Sequence, residues 1–206
     1  MKKGLFITIE GMDGSGKTTQ INMIRDYISD KGYNVILARE PGGTKISEKI
    51  RDIILDSANV TMASTTEMLL YASARAQLVA EIIKPAVENG SVVVCDRFID
   101  SSFAYQGFGR GIDIDTIADV NRAAMDGMMP DMTFFIDISP EIALKRRMAS
   151  SMTDRIEKEC MEFHMKAYKG YKKLAHLYPE RIKTIDGNRT VEEISQEIRK
   201  WLDTVV

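Results

Sequence analysis

Short runs of apolar and β-branched residues alternate along the chain with longer stretches whose apolar positions recur every three or four residues. The runs Leu5–Glu10, Val35–Arg39, Val92–Cys95, Met132–Asp137 and Ile182–Asp186 predict strands, with helices between them. Ser91-Val92-Val93-Val94-Cys95 is continuously apolar after its first residue, as a strand covered on both faces requires. This order predicts βαβ units, hence an α/β fold in which a five-stranded parallel sheet is flanked by helices. Near the end, Val191, Ile194, Ile198, Trp201, Leu202 and Val205 share one helix face, opposite Glu192, Glu193 and Lys200. Thr190 is placed to cap that helix, with Glu193 completing a capping box. The pattern from about Ser64 to Asn89 predicts a long helix kinked or broken at Pro85. Asp96–Asp113, rich in glycine and aromatics, predicts a loop, and Ala149–Asp154 a second weak segment. Segments that follow strands in such a sheet are where sites tend to form.

The 206 residues suit a single domain, 1–206. The 28 Lys and Arg against 30 Asp and Glu give a net charge of −2, which argues against a dedicated nucleic-acid binder. Hydrophobic residues at 44% exclude chain-wide disorder. Two cysteines, Cys95 and Cys160, with no CxxC, exclude a disulfide scaffold and a cysteine-based zinc site. The run Leu5–Ile9 is cut by Glu10, too short for a secretory core of ~7–15 residues. No run approaches the ~18–20 apolar residues of a membrane span, so a soluble, cytoplasmic protein with no membrane partner is expected. His164 and His176 lack acidic or cysteine partners at metal spacing and are expected on the surface. Met125, Met128, Met129 and Met132 are expected to fill core.

Gly11-Met12-Asp13-Gly14-Ser15-Gly16-Lys17-Thr18 fits G-x-x-x-x-G-K-[ST], between the strand at Leu5–Glu10 and a predicted helix from Lys17 to about Asp30. Glycines let the backbone wrap a phosphate while N–H groups and the helix N-terminus face the anion. Lys17 supplies positive charge to the terminal phosphates, and the Thr18 hydroxyl can ligate Mg²⁺. The motif therefore implies a nucleoside triphosphate with Mg²⁺ but not which reaction consumes it. Asp96, ending an apolar strand, is a candidate second acid near the metal.

A hydrolysing switch and a small-molecule kinase are the two broad readings. The chain has no N-K-x-D, and Asn188-Arg189-Thr190-Val191 does not supply one. A kinase with a phosphorylated acceptor needs arginines near the phosphate loop, because guanidinium forks match phosphate oxygens. Arg39 ends one predicted strand and Arg97 follows Asp96 at the end of another. Arg75 lies on a predicted helix, and Lys145, Arg146, Arg147 and Arg155 flank the weak segment.

The phosphate loop, with Arg39-Glu40-Pro41-Gly42-Gly43-Thr44, Asp96-Arg97-Phe98, Ser101-Ser102-Phe103-Ala104-Tyr105-Gln106-Gly107 and Asp154-Arg155-Ile156-Glu157, resembles the thymidylate kinase family in order and spacing across the whole chain. The resemblance implies a P-loop NTPase fold with a short mobile lid, here about 146–156. It implies transfer of phosphate from ATP to dTMP with Mg²⁺, and a homodimer. It assigns Asp13 to the acceptor phosphate and the magnesium shell, and Arg39 and Arg97 to the acceptor phosphate. Tyr71 would stack on the base, Arg75 would bond a base carbonyl, and Ser102 and Gln106 would face the acceptor. Tyr105 would lie under the sugar. On the donor side it assigns the loop Gly11, Met12, Gly14, Ser15, Gly16, Lys17, Thr18 and Thr19, with Arg146 on the adenine and Gly187 beside it.

Plain packing is the competing reading for Tyr71 and Tyr105, and turn capping for Ser102. The chain departs from the family at one point: neither the phosphate loop nor Met148–Thr153 carries the catalytic arginine found in one place or the other. That charge is expected from Arg147 or Arg155, with Arg155 favoured because Asp154 and Glu157 could orient it. Phosphorylation of another nucleotide or nucleoside, a regulatory ATPase, and a bare nucleotide-binding module are the alternative functions. Ile82, Ile83, Val87 and Met68-Leu69-Leu70 suit either pairing between copies or core.

Overall fold

Residues 4–148 and 154–206 are described by the computed structural model. Strands β1 (Leu5–Gly11), β2 (Val35–Arg39), β3 (Val92–Asp96), β4 (Met132–Asp137) and β5 (Ile182–Asp186) form one parallel sheet in the order β2-β3-β1-β4-β5. The predicted strands are all present, β1 and β3 each one residue longer. In register, Ile7 pairs with Val94 on one side and Met132 on the other, so β1 is central. That puts the loop after it at the middle of the sheet's C-terminal edge.

Helix α1 (Lys17–Asp30) follows that loop, and α2 (Lys45–Leu55) follows β2. Helix α3 (Ser64–Leu78) runs through a wide π turn at Val79–Ile83 into α4 (Lys84–Glu88). Instead of breaking at Pro85, the chain takes up the proline one turn earlier. Pro85 lacks an N–H and its ring crowds the carbonyl four residues back, which a widened turn relieves. After β3 come α5 (Ile99–Ser102), a second π segment at Phe103–Gly109, and α6 (Ile114–Met125). Helix α7 (Pro140–Met148) leads to the undescribed residues, and α8 (Met161–Leu177) and α9 (Val191–Leu202) complete the chain. Thr190 and Glu193 form the predicted capping box.

Alternate residues of β1 point to opposite faces. Leu5, Ile7 and Ile9 pack with Val92, Val94, Phe134 and Ile136 beneath Ile21, Ile24 and Ile28 of α1 and Ile194, Ile198 and Leu202 of α9. Phe6, Val93 and Cys95 face Leu78, Val79, Ile83 and Ala86. Phe135 meets Ala167, Tyr171 and Leu174 of α8. Burying these side chains contributes roughly 1.5–3 kcal/mol each, enough to fix the layers. In the methionine group Met132 is buried as expected, but Met129 is 45% exposed. Both cysteines are free. No helix among the described residues is long and apolar enough to cross a membrane.

The predicted loop Asp96–Asp113 is mostly helical, a correction with a clear cause. Its aromatics and glycines pack instead of turning: a Cβ on Gly109 would lie 2.7 Å from the Phe163 ring, so only glycine lets the π segment seat against α8. His164, expected at the surface, is buried in α8 with its ring edge-on to Phe163 and neither nitrogen hydrogen-bonded among the described residues. His176 is exposed.

Candidate active site

At the C-terminal edge of the sheet lies a cavity of about 510 Å³. Asp13, Gly14, Gly16, Lys17 and Thr18 form its floor. Gly14 has φ +83, and a Cβ there would meet the Ala143 carbonyl at 2.0 Å. The loop is thus pressed against α7, which carries Arg146 and Arg147 to the rim. Buried Lys17 donates from Nζ to the carbonyls of Met12 and Gly11 at 3.0 and 3.2 Å. Burial and the Arg97 cation push its ammonium below the ordinary range, against the pull of Asp96, Asp13 and Glu10.

Arg97 follows Asp96 with φ 69, the left-handed region that non-glycine residues rarely occupy. This turns its guanidinium toward the loop, where Nη2 donates to Asp13 Oδ1 at 2.8 Å and Nη1 to the Tyr171 hydroxyl at 2.9 Å. Burial disfavours the Asp13 anion, but Arg97 and Lys17 outweigh it and hold the carboxyl well below the usual range. The turn is pinned from below by Glu10 at the end of β1. Glu10 accepts from the Phe98 amide and the Ser101 hydroxyl, both at 2.7 Å, and from Tyr171 at 2.9 Å. Burial, then repulsion from Asp100, raises the Glu10 pKa to about 7.

Asp96, Thr18 and Lys17 share the cavity wall. Asp96 Oδ1 is buried without a hydrogen-bond partner among the described residues. A buried carboxylate oxygen left open on a cavity that a hydroxyl also lines suits a hard cation with oxygen ligands, so these residues fit Mg²⁺.

The opposite wall is built from β2, α2, α3 and the π segment. Arg39 lines it, its Nη2 held by both Glu48 carboxylate oxygens at 2.8 Å. Arg51 joins it, both arginines donating to the Pro41 carbonyl. Tyr71, Tyr105 and Gln106 complete this side. The Tyr105 ring lies under the Arg97 guanidinium, 5.3 Å from its centre.

Three expected contacts lie elsewhere. Arg75 is fully buried beneath the wall, bound to Glu40, to the Ser102 hydroxyl at 2.9 Å and to Asn121, with its guanidinium 5.0 Å from the Phe98 ring centre. It pins α3, α5, α6 and the turn after β2 together and does not line the cavity. Ser102 faces Arg75 for the same reason, and its neighbour Ser101 is the serine that lines the cavity. Arg155 turns away as well, donating to the Ile54 carbonyl at 2.8 Å and meeting Glu67 at 2.8 Å. Arg147 is the arginine that reaches the cavity, steadied by Glu157 at 2.7 Å. Residues 149–153 of the expected lid lie outside the described residues.

Of the residues expected on the donor side, Arg146 lines the cavity and reaches the Gly187 carbonyl at 3.4 Å. Gly11, Met12 and Ser15 are buried within the loop and Thr19 is exposed on α1. Arg51 is a cavity residue that the sequence pattern does not single out. Its position three residues after Glu48 on α2, on the face that holds Arg39, is the available signal. Glu10 and Glu67 carry no local signal.

The family model for thymidylate kinase matches residues 9–198. The thymidylate kinase of Clostridium novyi is 49% identical over 98% of this chain and all of its own length. That of Thermoanaerobacter sp. strain X514 is 50% identical over 95% of this chain and 96% of its own. The crystal structure of thymidylate kinase from Ehrlichia chaffeensis superposes with a TM-score of 0.81 at 34% identity, covering 97% of this chain and 98% of that one. Matches this extensive, on a chain whose phosphate loop, Asp13 and Arg97 close on one cavity, establish that it belongs to the thymidylate kinase family.

Proposed function

We propose that this chain transfers the γ-phosphoryl group of ATP to dTMP, giving ADP and dTDP. The observation that carries this reading is the Asp13–Arg97 pair, which sets a fixed guanidinium between the phosphate loop and the wall of Arg39, Arg51, Tyr71 and Tyr105. A dTMP phosphate oxygen attacks the γ-phosphorus as the bond to the bridging oxygen of ADP breaks. That oxygen is already ionised near neutral pH, so no strong base is required. Positioning and charge neutralisation carry the catalysis. Lys17 neutralises the donor phosphates, and Arg97 with Arg39 holds the acceptor phosphate. Arg147 supplies the charge on the transferring group. Mg²⁺, held by Thr18 with Asp96 nearby, would offset further phosphate charge.

Tyr71 and Tyr105 offer faces to the base and the sugar. Arg146 and Gly187 would sit by the adenine. Half-exposed Leu69 on α3 supports a homodimer, which sedimentation at micromolar concentration would test. The free thiols suit a reducing cytoplasm.

The test is ADP formation from ATP and Mg²⁺ with dTMP, dUMP, UMP, dCMP, dGMP, thymidine or no acceptor, with products identified by chromatography. A strong preference for dTMP with dTDP as product is expected. Equal ADP in every tube, including the one without acceptor, would replace this reading with a hydrolase.

A further inference from the structure

Glu67 lies in the first turn of α3, 1% exposed, one helical turn before Tyr71. Its Oε1 accepts from Gln106 Nε2 at 2.9 Å and from Arg110 Nε at 3.2 Å. Its Oε2 accepts from Arg110 Nη2 at 2.9 Å and faces Arg155 Nη2 at 2.8 Å. Arg110 is itself fixed, paired with Glu159 at 2.6 Å and stacked 4.4 Å from the Phe163 ring centre. Burial opposes charge on Glu67, but Arg110, Gln106 and Arg155 prevail and lower its pKa. The group is an anion that can only accept.

This has a consequence for Gln106, which lines the cavity from the π segment. A carboxylate can bind only the NH₂ end of an amide, so Glu67 decides which way the Gln106 amide faces. The amide oxygen makes no hydrogen bond with the described residues and is left for the cavity. We propose that Glu67 is a positioning residue that locks Gln106 with its carbonyl toward the acceptor base, so that the site selects a base with an N–H on the ring nitrogen between its two exocyclic groups. Thymine and uracil carry that N–H. Cytosine carries a lone pair there, which a carbonyl repels. This deepens the proposed function and rests on it.

The variant Glu67→Gln reverses the lock. The carbonyl of the introduced amide is drawn to Arg110 and Arg155, its NH₂ faces Gln106, and the Gln106 amide turns its own NH₂ to the cavity. The experiment compares kcat/KM for dTMP, dUMP and dCMP in wild type and E67Q, below the unfolding temperature of both. The expected result is a fall of roughly tenfold or more in the dTMP:dCMP ratio, with dCMP turnover rising and the dTMP:dUMP ratio unchanged within about twofold. A parallel loss on all three acceptors would make Glu67 merely structural and overturn the proposal. Should E67Q not fold, Glu67→Asp keeps the charge the arginines need but withdraws it from Gln106, and an unchanged dTMP:dCMP ratio there would equally overturn it. The wild-type figures separate the two readings. No turnover of dTMP removes the proposed function, whereas equal turnover of dTMP and dCMP leaves it standing and removes only the lock.

Discussion

Arg97 Nη2 and Asp13 Oδ1 meet at 2.8 Å although 84 residues separate them in sequence. The contact joins the turn after β3 to the loop after β1, two neighbouring strands whose ends are proposed to carry the acceptor-side and donor-side chemistry. It needs both the left-handed backbone at Arg97 and the glycine-rich path around Asp13. The side chains of Asp13 and Arg97 therefore act as one unit.

Replacing Asp13 by Asn should cut kcat on the order of 10²-fold, because Arg97 then loses the anion that aims it. The same variant has a pH signature. The folded pKa of Asp13 lies below its ordinary value of 3.8, so its stabilisation is present above about pH 4 and is lost as the pH falls. Thermal unfolding at about pH 7 and about pH 3 should show the wild-type advantage over D13N shrinking toward acid.

Glu10 behaves oppositely. Its folded pKa, about 7, exceeds the ordinary 4.5, so ionising it costs stability progressively as the pH rises between those values. Urea midpoints of wild type and Glu10→Gln should therefore favour wild type more at about pH 5 than at about pH 8. A gap that stays constant between those pH values would mean Glu10 is ionised throughout.

The arginines flanking the expected lid should separate by phenotype. Arg147→Ala, at the cavity, should lower kcat about 10²-fold or more even when assayed below its own Tm. Arg155→Ala breaks a buried contact with Glu67 and should cost about 2 kcal/mol, with kcat kept within about tenfold below the new Tm. A thousandfold loss of kcat in R155A at unchanged Tm would return the catalytic role to Arg155.

Arg75 offers a sharper stability test. Arg75→Met leaves Glu40 buried without its cation and should cost about 3–5 kcal/mol in denaturant unfolding. The double variant with Glu40→Gln should regain a good part of that. Strict additivity of the two losses would show that the pair is not coupled.

The architecture is readable in the sequence because buried parallel strands are written as contiguous apolar runs. Val92–Val94 cannot be mistaken for a surface segment. The phosphate loop is readable because its chemistry requires neighbouring residues in one order. Phe103–Gly109 misleads because glycines that permit close packing and glycines that permit turning look alike in sequence. Gly109 is of the first kind. His164 misleads because α8 buries a wider face than its apolar residues mark out. Arg75, Arg155 and Glu67 lie beyond reach for a common reason. The sequence around an isolated charge does not show the partner that buries it when that partner lies tens of residues away. Arg75 depends on Glu40 and Asn121, and Glu67 on Arg110 and Arg155.

The φ of 69 at Arg97 is a backbone that glycine would accept more readily, by about 1–2 kcal/mol. Arg97→Gly would nevertheless strip Asp13 of the cation that keeps it charged and Tyr171 of a donor, a loss of about 3–5 kcal/mol. A library screened for survival after heating and one screened for activity should therefore both discard it. At this codon, folding and chemistry are kept by the same side chain, and the strained backbone is carried along with it.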